Sequence, residues 1–128
     1  MHQLAGFLIV FLGGGIGAML RHGVNLGSAR LLGTGLPYNT MFENVTGSMV
    51  MGLLAGYFAL RGGVPQQWQL FLTTGILGGY TTFSAFSLDA ALLTERGQLG
   101  LAAAYVIGSV VLSIAGLFAG LWLVRQMA

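Results

Sequence analysis

The sequence predicts an all-α membrane protein: four transmembrane helices in one domain, residues 1–128, the third broken at its middle. Three observations lead there. Hydrophobic residues make up 55% of the chain and charged residues 6%, against roughly 25% charged in a soluble domain. Apolar stretches of bilayer-crossing length recur between short polar connections. The third such stretch lies within the uncharged run Gly62–Leu88, yet its centre holds Gly75, Gly78, Gly79 and the pair Thr81-Thr82. Glycines and paired hydroxyls weaken a helix interior.

The first span runs from about Leu4 to Leu20 and ends at Arg21. It lacks a basic leader and an A-x-A-like cleavage site, so it counts as a span and not as a removable signal. Gly6, Gly13, Gly17 and Arg21 fall near one face. Arg21 is either an anchor that snorkels to the interface or a positive charge at a water-filled mouth that concentrates anions. His22 to Asn39 reads as a polar connection with a short interfacial piece around Leu31 and Leu32.

The second span runs from about Thr40 to Leu60. Asn44, Ser48, Gly52 and Gly56 recur every four residues, giving a face that begins polar and ends small. Asn44 either bonds a neighbouring helix or offers its amide hydrogens to a passing anion. Glu43 stands near the start of the span, either at the interface or paired with an arginine, because a lone buried carboxylate is costly.

Arg61 to Trp68 is a turn rich in glycine, with an interfacial tryptophan at its end. The third span runs from about Trp68 to Leu93, with Asp89 toward the far interface. Its glycines serve either a helix break near Gly78–Thr82, tolerable only inside protein or along a polar cavity, or close helix packing. Thr94 to Gln98 is a tight turn, and the fourth span covers Leu99 to Val124. There Tyr105, Ser109 and Ser113 stand at i, i+4 and i+8, a polar line continued by Gly116 and Gly120. Each hydroxyl either bonds its own helix or lines a pathway.

Several functions are excluded. Without cysteine there is no disulfide, thiol catalysis or thiolate metal site. Five scattered arginines form no nucleic-acid patch. His2 and His22 lie outside the spans, the three acids are far apart, and no serine has a base on its face, so no enzyme constellation is visible. Gly13-Gly14-Gly15-Ile16-Gly17 lacks the lysine of a phosphate loop.

Inside the spans the polar groups are mainly hydroxyls and an amide, a set better suited to an anion than a cation. Phe83 and Phe86 share a face beside the break. Their ring edges are electropositive and can receive a small anion; the alternative is a pair of core phenylalanines. Four spans leave Arg61 and Arg125 on one side against Arg21, Arg30 and Arg96 on the other. Such weak asymmetry does not fix insertion. Four helices are also few to enclose a polar pathway, so the chain is expected to dimerise with a copy of itself, inverted or not.

The stretch Gly75-Ile76-Leu77-Gly78-Gly79-Tyr80-Thr81-Thr82-Phe83-Ser84-Ala85-Phe86-Ser87 resembles the signature of the Fluc/CrcB fluoride channels. Gly17-Ala18-Met19-Leu20-Arg21 and Asn44-Val45-Thr46-Gly47-Ser48 resemble that family's first- and second-helix motifs. The likeness covers the whole chain. It implies an antiparallel, dual-topology homodimer in the inner (plasma) membrane with two fluoride pores. It further implies that Asn44, Phe83, Phe86, Thr82, Ser84, Tyr105, Ser109 and Ser113 line the pore. Arg21 would stand in the vestibule, and the carbonyls of Gly78 and Thr81 would hold a structural Na+ at the dimer axis. Glu43 departs from the pattern, because an acid beside the pore asparagine would repel anions.

A second reading from another class is a small four-helix, proton-coupled cation exporter. It needs a membrane-embedded acid, for which Glu43 is the only candidate. A third is a structural subunit of a larger complex.

Overall fold

The computed structural model describes residues 3–127, so His2 lies outside it. All regular structure there is helical. Helix α1 spans Gln3–Leu32 and α2 spans Tyr38–Arg61. The third apolar stretch is composite. It begins as α3, Gln66–Leu70, becomes a π-helical segment over Phe71–Leu77, and regains α geometry in α4, Gly78–Tyr80. After a break, α5 covers Phe83–Glu95, and α6 covers Leu99–Gln126.

Three of these are long and apolar enough to cross a membrane: α1, the composite Gln66–Glu95, and α6. Their outward faces are apolar, as lipid requires. Leu4, Phe7, Phe11 and Met19 of α1 and Ile107, Phe118 and Trp122 of α6 are all exposed. The 24-residue α2 has the length of a span, but its polar first half lowers its hydropathy below theirs.

Two long pairings organise the bundle. Helix α1 lies along the π-helical segment and α4, while α2 lies along α6. Both contacts are seamed by glycine. A Cβ on Gly17 would collide with the Ile76 carbonyl and stand 2.9 Å from the Tyr80 nitrogen. A Cβ on Gly120 would stand 2.7 Å from the Leu53 nitrogen. Backbone meets backbone along these seams, the usual geometry of membrane helices with small residues at the interface.

The first connection differs from expectation. Residues 22–32 continue α1, which is about 45 Å long at 1.5 Å per residue. Only Gly33–Pro37 form the link to α2. The glycines of this region sit outward or at the end of the helix, where they do not interrupt it. The turn after α2 uses Gly62 and Gly63 with φ of 63° and 67°, left-handed values that favour glycine.

Candidate functional site

The break sits at Thr81 and Thr82, inside the stretch where the sequence places it. Thr81 (ψ 157°) and Thr82 (φ −152°, ψ 123°) are extended. The first half-helix is closed locally. Leu77 O accepts both the Thr81 N–H at 3.0 Å and the Thr81 Oγ1 hydroxyl at 2.9 Å. The second half is capped by Thr82, whose Oγ1 accepts the Ala85 N–H at 3.2 Å, as threonine does at helix starts.

Two side chains from other helices brace the break. Asn44 of α2 donates its Nδ2 to Thr82 O at 2.9 Å and accepts the Thr82 N–H on Oδ1 at 2.8 Å. One amide thus satisfies both backbone groups of the residue most removed from helical geometry. Arg21 of α1 donates Nε to Gly79 O at 3.0 Å, a carbonyl that lost its helical partner at the break. Its place is therefore against the broken backbone, two-thirds of the way along α1. Gly47 lets α2 approach, since a Cβ there would run into the Thr81 methyl group.

Beside the break lies a groove of about 320 Å³ lined by Asn44, Thr82, Phe83, Phe86, Ser109 and Ser113, with Ser48, Thr81, Val110 and Ile114 completing it. Six of the eight residues that the resemblance assigns to the pore thus share one space. The Phe83 and Phe86 rings stand 5.4 Å apart at 49°. Phe86 is buried at 8% exposure, whereas Phe83 is 76% exposed and presents its ring to whatever covers the groove. Ser109 is 2% exposed, and its Oγ has no hydrogen-bond partner. A buried hydroxyl without a partner costs stability.

Tyr105 does not line this groove. It packs on Phe86, centroids 5.3 Å apart, and donates its hydroxyl to Asp89 Oδ2 at 2.9 Å. Asp89 in turn lines a polar groove of about 350 Å³ with Asn25, Asn39, Ser28 and Arg96. The Phe86–Tyr105–Asp89 contacts therefore connect the two hollows. Ser84 is exposed and reaches only Thr82 Oγ1, at 3.3 Å.

Gly78 and Thr81 line a third groove of about 380 Å³ with Thr73, Thr74 and Ser48. In an unbroken helix their carbonyls would meet the Thr82 and Ala85 N–H groups. Those donors are instead bonded to Asn44 Oδ1 and Thr82 Oγ1. Two backbone oxygens are thereby released beside hydroxyls, a donor set that fits a small hard cation. No cluster of His, Cys, Asp or Glu among the described residues could hold a metal.

Ser48 and Asp89 line these hollows, although the sequence placed Ser48 only on the polar face of α2 and Asp89 only toward the far interface. Ser48 follows Asn44 by one turn, and Asp89 follows Phe86 by three residues. Helical spacing from Phe86 would have added Asp89 as it already joined Ser48 to Asn44.

A family model described as "CrcB-like protein, Camphor Resistance (CrcB)" matches residues 8–121. The chain belongs to the CrcB family. A protein of Rhodopseudomonas palustris named "Fluoride-specific ion channel FluC" is 71% identical over 121 residues, covering 94% of this chain and 98% of that one. A relative from Nitrobacter hamburgensis with the same type of name is 64% identical over the same shares. One from Methylobacterium nodulans is 61% identical, covering 93% of this chain and 95% of its own. These relatives are named as channels, not enzymes. With its long apolar helices, the chain is a multi-pass membrane protein.

Proposed function

We propose that the chain is a passive fluoride channel of the inner membrane, active as an antiparallel homodimer with two pores. The observation that carries this reading is the groove beside the break. Anion-accepting ring edges, an amide and an unpartnered buried hydroxyl converge there in a chain whose relatives are named for fluoride.

Helix α2 acts as the fourth span. The anion passes along Ser113 and Ser109, past the edges of Phe86 and Phe83 and the amide of Asn44, with Thr82 and Ser84 at the turn and Tyr105 toward the second hollow. Asn44 holds the broken backbone with one of its two amide hydrogens, and the other is free for the ion. Ring edges attract an anion weakly and without a fixed charge, so fluoride is desolvated without being trapped. Selectivity over larger halides follows from a narrow, braced passage in which donors replace fluoride's tight water shell.

One exposed ring on each protomer requires a partner to close the pore. The carbonyls of Gly78 and Thr81 from both copies would hold a Na+ ion where the breaks meet. That ion supplies a fixed positive charge that ties the two breaks together. Arg21 adds positive charge near the pathway from its place on Gly79. Family membership favours the channel.

The test is efflux from proteoliposomes followed with a fluoride electrode. Fluoride release well above that of empty vesicles, with no comparable chloride release, is expected. Release no faster than from empty vesicles, or equal rates for both halides, rules the channel out.

A further inference from the structure

Glu43 is the acid for which the channel reading has no use. It is 1% exposed, and its Oε2 has no hydrogen-bond partner. Its neighbours on the same face of α2 show where it points. Thr40, one turn earlier, is buried at 2% exposure. Gly47, one turn later, meets Thr81 and Tyr80 at the break. Asn44, the next residue, braces the break and lines the anion groove. Glu43 therefore lies on the buried face of α2, between Thr40 and Gly47 and beside Asn44. The titratable and charged groups within electrostatic reach of it are Arg21 from α1 and Asp89 from α5, and Tyr105 from α6.

A carboxylate buried with an unpaired oxygen is costly, and a negative charge there opposes an anion in the adjacent groove. The Arg21 charge offsets part of that opposition, and the Asp89 charge adds to it. Binding a proton removes both the cost and the opposition. We propose that Glu43 is a proton-binding valve on the conduction track: protonated, it leaves the path open to an anion; deprotonated, it keeps the Asn44 end of the groove unoccupied. The proposal rests on the fluoride-channel reading. The step is a protonation only, with the proton drawn from and returned to the aqueous side. Coulomb repulsion across one side-chain length at an effective dielectric of about 20 changes occupancy by roughly tenfold or more.

The experiment measures fluoride current through the purified protein in planar bilayers from acid to alkaline pH. Neutral HF carries no current, so its leakage does not contribute. The unmodified protein is expected to lose current roughly tenfold as pH rises. Glu43→Gln, isosteric and permanently neutral, is expected to hold the high, acid-side current throughout. Infrared spectra should show a protonated carboxylic carbonyl band that Glu43→Gln lacks. Current independent of pH in the unmodified protein overturns the valve but not the channel. An identical pH profile in Glu43→Gln, or one removed by Asp89→Asn alone, also overturns the valve. Absence of fluoride current at every pH overturns both readings.

Discussion

Replacing Asn44 by alanine removes a donor and an acceptor at once. Thr82 then keeps an N–H and a C=O without partners at membrane depth, each costing about 1–3 kcal/mol. Asn44→Ala is expected to lower the melting temperature in detergent and to cut fluoride flux at least about tenfold, because the groove loses its shape along with an amide. Ser109 makes the opposite case. Its hydroxyl has no protein partner to lose, so Ser109→Ala should leave thermal stability unchanged or slightly raised. If the hydroxyl serves the ion, flux in the same preparation falls. Equal flux in Ser109→Ala and the parent would remove Ser109 from the pathway. The pair separates side chains that build the pore from side chains that face the ion. Sequence supplied the names of both residues but not this division. That Asn44 spends its amide on backbone, while Ser109 spends its hydroxyl on nothing within the chain, depends on where α5 and α6 lie.

At the level of elements, close backbone contact between α1 and the first half of the broken helix sets the position of the break. Gly17 faces Ile76 and Tyr80 so closely that a methyl group has no room, and backbone atoms cannot swing aside as a flexible side chain would. Gly17→Ala is expected to cost about 1–3 kcal/mol through overpacking, read as a lower melting temperature in detergent. Gly15→Ala, where an added Cβ meets nothing within 4 Å, should leave the melting temperature unchanged and serves as the control. The break was legible in sequence because the hydroxyl pair Thr81-Thr82 is a local signal, whereas Gly75 and Gly79 serve the other reading, close packing on α1. The π-helical segment before it was not, since Thr73, Thr74 and Gly75 within Phe71–Leu77 mark a weakened helix without saying that it widens instead of breaking. The extension of α1 to Leu32 was hidden for a different reason. Residues 22–32 are polar and glycine-containing, and polarity marks where a helix leaves the bilayer, not where it ends. The polar first half of α2 has the same ambiguity: Asn44 and Glu43 lower its hydropathy because they turn toward other helices.

On the scale of the whole molecule, the arginines leave orientation undecided. Arg21 is bonded to Gly79, within the protein and away from the loops. With α2 as a span, the flanking arginines are Arg61 and Arg125 on one side and Arg30 and Arg96 on the other, a balance that gives insertion no preference. On the homodimer reading, the exposed Phe83 and the released carbonyls of Gly78 and Thr81 lie where a second protomer would cover them. An inverted copy would bring a second set of the same groups to each pore. Added arginines should therefore act on assembly through topology alone. Extra arginines in the turn at Gly62–Val64, or instead in the turn at Gly97–Gln98, are expected to lock the chain in opposite orientations, as read by reporter fusions at the C-terminus. Either locked form expressed alone should lose nearly all fluoride flux, and the two expressed together should regain it. Full flux from one locked form alone would mean that the protomers pair in parallel, and the pore would then have to be rebuilt around a different face of the bundle.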